Sequence, residues 1–135
     1  MSNKNPSLIA HISIGTNQFE KAREFYKSVL SILGAKILMD YPGAVCFGKQ
    51  FPELWLQTPI DGNPASTGNG FHIGFDVSSK EIVNAFYQAA MAAGATSDGE
   101  PGPRPMYGDA YYGCFVRDLD GHKIEAAFHD ESVGH

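Results

Sequence analysis

The stretch HISIGTNQFEKAREFY (residues 11–26) recurs in altered form as HIGFDVSSKEIVNAFY (residues 72–87). Each copy opens with a histidine in a run of alternating apolar residues and closes on a Phe-Tyr pair. The two histidines are 61 residues apart, and so are the pairs that begin at Phe25 and Phe86. A long internal period is the mark of a supersecondary unit used more than once. The chain is therefore predicted to fold as two similar halves.

Both copies predict a strand followed by a helix. Apolar residues alternate over 7–14 and 70–77, which is typical of strands with one buried face. They then recur at helical spacing over 18–33 and 79–93, and a glycine follows each helix, where it suits the left-handed end of a helix. Asn17 and Ser78 are the predicted N-caps, each with a glutamate three residues later: Glu20 and Glu81.

Further strands complete each half. They are predicted at 36–41, 43–48 and 53–58 in the first half, and at 95–98, 110–117 and 122–129 in the second. The segment 98–109 is rich in Pro and Gly and is predicted to be a loop over a functional site, because long loops are commonly functional. The result is an α+β chain of two tandem βαβββ modules, 7–58 and 70–129, in a single domain over 1–135.

The composition excludes several classes of function. The 135 residues are 43% hydrophobic and 19% charged, which is ordinary for a globular domain. A formal net charge of −5 argues against nucleic acid, because binding to phosphates needs basic surface. No apolar run approaches the roughly 18 residues that span a bilayer, and no secretory signal pattern is visible at the N-terminus. We therefore expect a cytoplasmic protein with neither membrane nor nucleic-acid partners.

Strand alternation places three polar residues on one face. His11 and His72 lie opposite the apolar residues of their strands, so they point away from the helices. Glu125 likewise lies opposite Ile124 and Ala126 in the last strand. The sequences Cys46-Phe47 and Cys114-Phe115 are 68 residues apart, and this correspondence makes Gln57 the first-module counterpart of Glu125.

These residues suit a metal ion. Two imidazoles and a carboxylate are a ligand set for a first-row divalent metal, and three protein ligands leave coordination positions open for substrate, with Gln57 as a weak fourth ligand. From the residues alone, histidines with a purely structural role remain an equal alternative.

Three stretches resemble a known group of proteins. They are HISIGTNQFEKAREFYKSVLSILGAK (11–36), GFHIGFDV (70–77) and YYGCFVRDLDGHKIEAAF (111–128). They resemble the vicinal oxygen chelate superfamily, the group of glyoxalase I, fosfomycin-resistance thiol transferases, extradiol dioxygenases and bleomycin-binding proteins. The resemblance covers residues 7–129, and the patterns FYxxVLxxLG and DxDGHxIE are its most specific parts.

The resemblance implies that the modules form a cupped mixed sheet with the helices on its outer face and a divalent metal (Ni, Zn, Mn or Fe) inside. It implies His11, His72 and Glu125 as metal ligands, and Gln57 stands where glyoxalase I has a Glu or similar ligand. The resemblance to glyoxalase I also implies that Glu125 moves a proton during catalysis. A His-His-Glu triad is equally similar to the thiol-transferase and dioxygenase branches.

Five residues are predicted to contact the substrate: Ser13, Trp55, Arg104, Tyr107 and Tyr112. Tyr111 is a further candidate to line the cup, and we expect at least one of the three tyrosines to do so. Ser13 shares the face of His11, and Arg104 in the Pro-rich segment is suited to hold a carboxylate or phosphate. Solvated surface positions are the alternative for both. His122 follows the turn glycine and is predicted to be exposed.

The sequence thus favours a glyoxalase-like, metal-dependent enzyme (a lyase, isomerase or thiol transferase) that chelates two neighbouring oxygens of a small substrate. The alternatives are a metal-free, bleomycin-resistance-like protein that sequesters a small molecule, and an Fe(II) extradiol dioxygenase. A homodimer is also predicted, with His11 and Gln57 from one chain and His72 and Glu125 from the other.

Overall fold

The computed structural model describes residues 7–133, and these form two βαβββ modules. The first module comprises β1 (Ile12–Gly15), α1 (Phe19–Ser31), β2 (Lys36–Tyr41), β3 (Ala44–Gly48) and β4 (Leu54–Gln57). The second comprises β5 (His72–Val77), α2 (Lys80–Ala92), β6 (Thr96–Pro103), a 3-10 turn (Pro105–Tyr107), β7 (Tyr111–Arg117) and β8 (Lys123–His129). The predicted α+β class with two tandem modules is confirmed.

Each module has a four-stranded mixed sheet. The strand orders are β1-β4-β3-β2 and β5-β8-β7-β6. The first strand of each sheet runs parallel to the last, and the other neighbours are antiparallel. One face of each sheet packs against the helices in the hydrophobic core, and the other, which we call the open face, carries the polar residues. Neither α1 nor α2 is long and apolar enough to cross a bilayer.

The two helices form where the apolar spacing predicts them, but their caps differ from the prediction. Ser79, not Ser78, caps α2, and its Oγ accepts a hydrogen bond from the backbone N–H of Ile82 at 3.2 Å. The N-cap residue of α1 is Gln18, and its side chain makes no capping hydrogen bond. Asn17 instead binds the backbone of Ala65, between β4 and β5, through both ends of its amide. Two serines stand in succession before α2, and the second of them forms the cap.

Two strand boundaries also differ from the prediction. The first strand begins at Ile12, so His11 lies just before it and Leu8 is 96% exposed. The segment predicted as a loop from residue 98 continues as β6 up to Pro103. Shifts in register on either side of Gly99 let this glycine-rich stretch bulge and still pair with β7.

The β7–β8 turn (residues 118–122) joins the two modules, and we call it the turn clasp. Asp120 accepts hydrogen bonds from the hydroxyl of Thr16 at 2.5 Å and the backbone N–H of Asn17 at 3.0 Å, and the amide of Gln18 donates to the carbonyl of Leu119 at 3.0 Å. All three donors lie between β1 and α1 of the first module. The DxDGH pattern therefore holds the modules together.

His122 belongs to the same clasp, and the prediction that it is exposed is wrong. It is only 5% exposed, and its Nε2–H donates a hydrogen bond of 2.7 Å to the carbonyl of Gly15. Its Nδ1 is buried without a hydrogen-bond partner. His122 follows a turn glycine, and this position in the sequence does not indicate that the first module covers the turn.

Candidate functional site

His72 and Glu125 lie together on the open face of the second sheet. Glu125 is opposite Gly74 in the pairing of β5 with β8, one row along from His72. The Nε2 atom of His72 and Oε1 of Glu125 are 3.1 Å apart. A carboxylate only accepts hydrogen bonds, so Nε2 carries a proton in this contact. The structure thus brings two of the predicted ligands into direct contact.

The carboxylate of Glu125 is held on both sides. Its Oε2 accepts a hydrogen bond of 2.5 Å from the hydroxyl of Tyr111, and a Cβ atom at Gly74 would come within 3.0 Å of its Oε1. Burial, followed by the bond to Glu125, raises the pKa of Tyr111 well above its usual range. Tyr111 therefore stays protonated as the donor to Glu125.

Arg104 is held in place near this pair. Its guanidinium donates to the carbonyls of Glu100 at 2.7 Å and Pro103 at 3.1 Å, and lies 5.9 Å from the centre of the Phe115 ring. The same ring lies 6.0 Å from the ring of His72. Among residues 7–133, no ion pair includes Arg104. The result is a fixed cation beside the His72–Glu125 pair.

Two predicted substrate contacts have different outcomes. Tyr107, which is 56% exposed, lies at the edge of this group with its ring 5.1 Å from that of Tyr111. The prediction that Tyr112 lines the cup is wrong. Its ring packs against the core, and its hydroxyl donates to Asn84 of α2 at 2.9 Å. Adjacent residues of a strand face opposite sides, so Tyr111 and Tyr112 cannot both face the cup.

The remaining predicted residues belong to the first module. Ser13 pairs with Trp55, and Gly15 pairs with Gln57, all on the open face of that sheet. His11 is exposed at the start of this face. Over the described part of the chain, no three His, Cys, Asp or Glu side chains are grouped to hold a metal ion. The single chain therefore does not bring His11 to the His72–Glu125 pair.

The register corrects the counterpart assigned to Glu125. In the second sheet Glu125 pairs with Gly74 on one side and with Phe115 on the other. In the first sheet Trp55 pairs in the same way with Ser13 and Cys46, and these three residues form the matching row. The correspondence of the two Cys-Phe pairs is wrong, because Cys114 faces α2 while Cys46 faces away from α1. Trp55, rather than Gln57, therefore occupies the position equivalent to Glu125.

The donor atoms present suit a divalent ion. Two ligands that bind one ion at about 2.0–2.2 Å lie roughly 3 Å apart, which is the separation of the His72 and Glu125 donor atoms. A metal ion would replace the proton that these atoms share. His72 is accessible from the open face, with 44% of its side chain exposed, while Glu125 is nearly buried.

Sequence reasoning missed two residues around the pair: Phe115 and Lys123. Phe115 lies on the open face of β7 together with Tyr111 and Gly113, and strand parity was the signal that could have identified it. Lys123 places its Nζ 4.9 Å from the Phe115 ring centre and 3.6 Å from Asp98, a contact that no sequence pattern indicated.

The chain matches a known protein family and solved structures of similar fold. The model of the Glyoxalase/Bleomycin resistance protein/Dioxygenase superfamily matches residues 8–126. A glyoxalase/bleomycin resistance protein from Albidiferax ferrireducens T118 is 34% identical, with a TM-score of 0.83 over 91% of this chain and 99% of that one. No curated protein matches the sequence.

Two more distant structures share the fold. A glyoxalase-related enzyme from Fulvimarina pelagi is 20% identical, with a TM-score of 0.72 over 91% of this chain and 88% of that one. Lactoylglutathione lyase from Agrobacterium tumefaciens is 21% identical, with a TM-score of 0.65 over 93% of this chain and 96% of that one.

Proposed function

Because the chain belongs to the glyoxalase/bleomycin resistance protein/dioxygenase superfamily, we propose that it is a cytoplasmic, glyoxalase-like enzyme that depends on a divalent metal. Its substrate is a small molecule with two neighbouring oxygens, and the reaction is of the lyase, isomerase or thiol-transferase type. The observation that carries the proposal is the contact between Nε2 of His72 and Oε1 of Glu125 on an open, accessible face.

The third ligand is His11 of a second copy of the chain. His11 is exposed, and among residues 7–133 of one chain it is not part of a group of three metal-binding side chains. A homodimer that places the open face of one first module over the open face of the other second module would complete a His-His-Glu set. Gln57 of that first module would then lie near the ion without being the counterpart of Glu125.

The metal and the residues around it would have separate roles in the reaction. When bound, the metal supplies Lewis-acid stabilisation for negative charge on the chelated oxygens. Glu125 is placed to accept and return a proton, since its carboxylate lies on the open face beside His72, where the substrate would bind. Arg104 has free donors for a carboxylate or phosphate on the substrate. Ser13, Trp55 and Tyr107 would line the rest of the cup.

The test is metal binding by protein purified without a His tag. We expect one Ni(II), Zn(II) or Mn(II) ion per chain by calorimetry. His72→Ala should abolish binding and leave the fold intact, since this side chain lies outside the core. Glu125→Gln should weaken binding less, because an amide oxygen still coordinates. Glu81→Gln, which makes the same change at an exposed carboxylate of α2 on the other side of the sheet, is the matched control. If His72→Ala binds as the parent does, the site lies elsewhere.

A second candidate is a metal-free protein that sequesters a planar ligand. It is favoured by the place of Trp55, an aromatic residue at the position equivalent to Glu125. If the parent binds none of the three metals, this candidate is preferred. A planar aromatic ligand should then quench the fluorescence of Trp55, the single tryptophan of the chain.

A further inference from the structure

Tyr111 reaches Glu125 from a distant row of the sheet. Along the β7–β8 pair, Tyr111 is opposite His129, whereas Glu125 is opposite Phe115, two rows further along the same face. The row between them consists of Gly113 and Ala127. The two long side chains therefore lean toward each other across this small-residue row, and their meeting is a buried hydrogen bond of 2.5 Å.

The absence of a side chain at residue 113 makes this bond possible. A Cβ atom built there would lie 2.2 Å from the hydroxyl oxygen of Tyr111 and 2.7 Å from the carbonyl oxygen of Ala126. Both distances are far below van der Waals contact. The ring of Tyr111 thus occupies the volume that any side chain at Gly113 would fill.

Aromatic neighbours fix the direction of the Tyr111 ring. The ring of Tyr107 lies 5.1 Å away on an edge-to-face geometry with an interplanar angle of 74°. The ring of His129 lies 5.5 Å away, also at 74°. Edge-to-face contacts of this kind favour one orientation of the ring over others. Tyr111 itself is 4% exposed, so water does not compete for its hydroxyl.

We propose that Tyr111 is the positioning residue for Glu125: its hydroxyl holds Oε2 and leaves Oε1, the oxygen beside His72, as the one presented to a metal ion. This inference rests on the proposed metal-dependent function. A carboxylate with one oxygen already engaged binds through the other, so its orientation is set before the metal arrives. Groups that orient a metal ligand in this way commonly change metal affinity by about 10–100-fold when they are removed.

The experiment compares two neighbouring tyrosines that lose the same atom. Tyr111→Phe removes the hydroxyl that binds Glu125, and Tyr112→Phe removes one that binds Asn84 on the other face of the sheet. Zn(II) affinity is measured by calorimetry on both variants and the parent, and the thermal midpoint is measured without metal. We expect Tyr111→Phe to bind Zn(II) about 10–100-fold more weakly, and Tyr112→Phe to bind it as the parent does.

A double-mutant cycle separates positioning from general structural damage. If Tyr111 acts through Glu125, Tyr111→Phe should cause little further loss in a Glu125→Ala background, which leaves no carboxyl or amide group for Tyr111 to hold. A similar loss in both backgrounds would overturn the inference, and so would unchanged Zn(II) affinity in Tyr111→Phe while the parent binds Zn(II). Absence of Zn(II), Ni(II) and Mn(II) binding in the parent would instead refute the proposed function itself.

Discussion

Tyr26 donates a buried hydrogen bond from α1 of the first module to the carboxylate of Asp118 in the turn clasp of the second module. The other carboxylate oxygen of Asp118 accepts the backbone N–H groups of Asp120 and His122, both at 2.9 Å. Asp118 is 5% exposed and Tyr26 is fully buried. One carboxylate therefore shapes the turn and also ties it to the other module.

Removing the hydroxyl of Tyr26 should destabilise the whole chain. Tyr26→Phe leaves one oxygen of the buried Asp118 without its donor, and an unsatisfied buried group of this kind costs about 1–3 kcal/mol. The free energy of unfolding from urea denaturation at pH 7 measures the loss. Tyr87→Phe, whose hydroxyl binds Ser97 at the surface, should change stability by less than about 0.5 kcal/mol. Equal effects in the two variants would contradict the role of the clasp.

Stability should fall at alkaline pH. Burial raises the pKa of Cys114 from 9.0 to about 11, and burial with the charge of Asp118 raises the pKa of Tyr26 above its usual 10.0. Both groups are neutral in the folded state, so their contribution is complete below the unfolded pKa values. It is lost as the pH rises from 9 to 11 for Cys114, and above 10 for Tyr26.

Cys114→Ala isolates the thiol part of this loss. A shift of this size corresponds to about 2–3 kcal/mol, so between pH 8 and pH 11 the variant should lose that much less unfolding free energy than the parent. Guanidinium denaturation at the two pH values provides the measurement. Parallel losses in parent and variant would show that Cys114 does not titrate on unfolding.

Co-expression of two inactive chains tests the shared site. His11→Ala and His72→Ala chains should each fail to bind metal alone. In a mixed dimer, the intact His11 of one chain would meet the intact His72 and Glu125 of the other. Random pairing therefore restores roughly a quarter of the metal sites. Zinc content of the co-purified protein measures this fraction, and the absence of recovery would contradict a site shared between two chains.

Arg104 should set the preference for anionic ligands. In metal-loaded protein, Arg104→Gln is expected to weaken binding of oxalate, a chelating dianion, by about tenfold or more, because a charged hydrogen bond is worth about 1.5–3 kcal/mol. Arg117→Gln is the control, since Arg117 already donates to Asp98 at 3.1 Å. Equal oxalate affinity in parent and Arg104→Gln, measured by calorimetry, would remove Arg104 from the site.

The sequence predicted the faces of the strands better than their register. Alternation correctly placed His72 and Glu125 on the face away from the helices, because parity depends only on neighbouring residues. The counterpart of Glu125 depends on how strands align across a turn, and the two hairpins align differently. Cys46 and Cys114 therefore fall on opposite faces, although their local sequences match.

Local sequence patterns also could not predict which residues of one module the other module buries. His122 looks like a surface residue after a turn, and only the fold reveals that Gly15 covers it. Tyr112 is a different case, because the parity that places Cys114 beside α2 also places Tyr112 there. That error could have been avoided from the sequence.

The small-residue row between Tyr111 and Glu125 also limits how the sequences of homologues can diverge. A side chain gained at position 113 would displace Tyr111 and meet the Ala126 carbonyl, so Gly113, Tyr111 and Glu125 should be inherited together or replaced together. Among homologous sequences, Tyr at 111 with Glu at 125 should rarely occur without Gly at 113. Homologues that have lost the glutamate should vary more freely at position 111, while the Ala126 carbonyl still favours glycine at position 113.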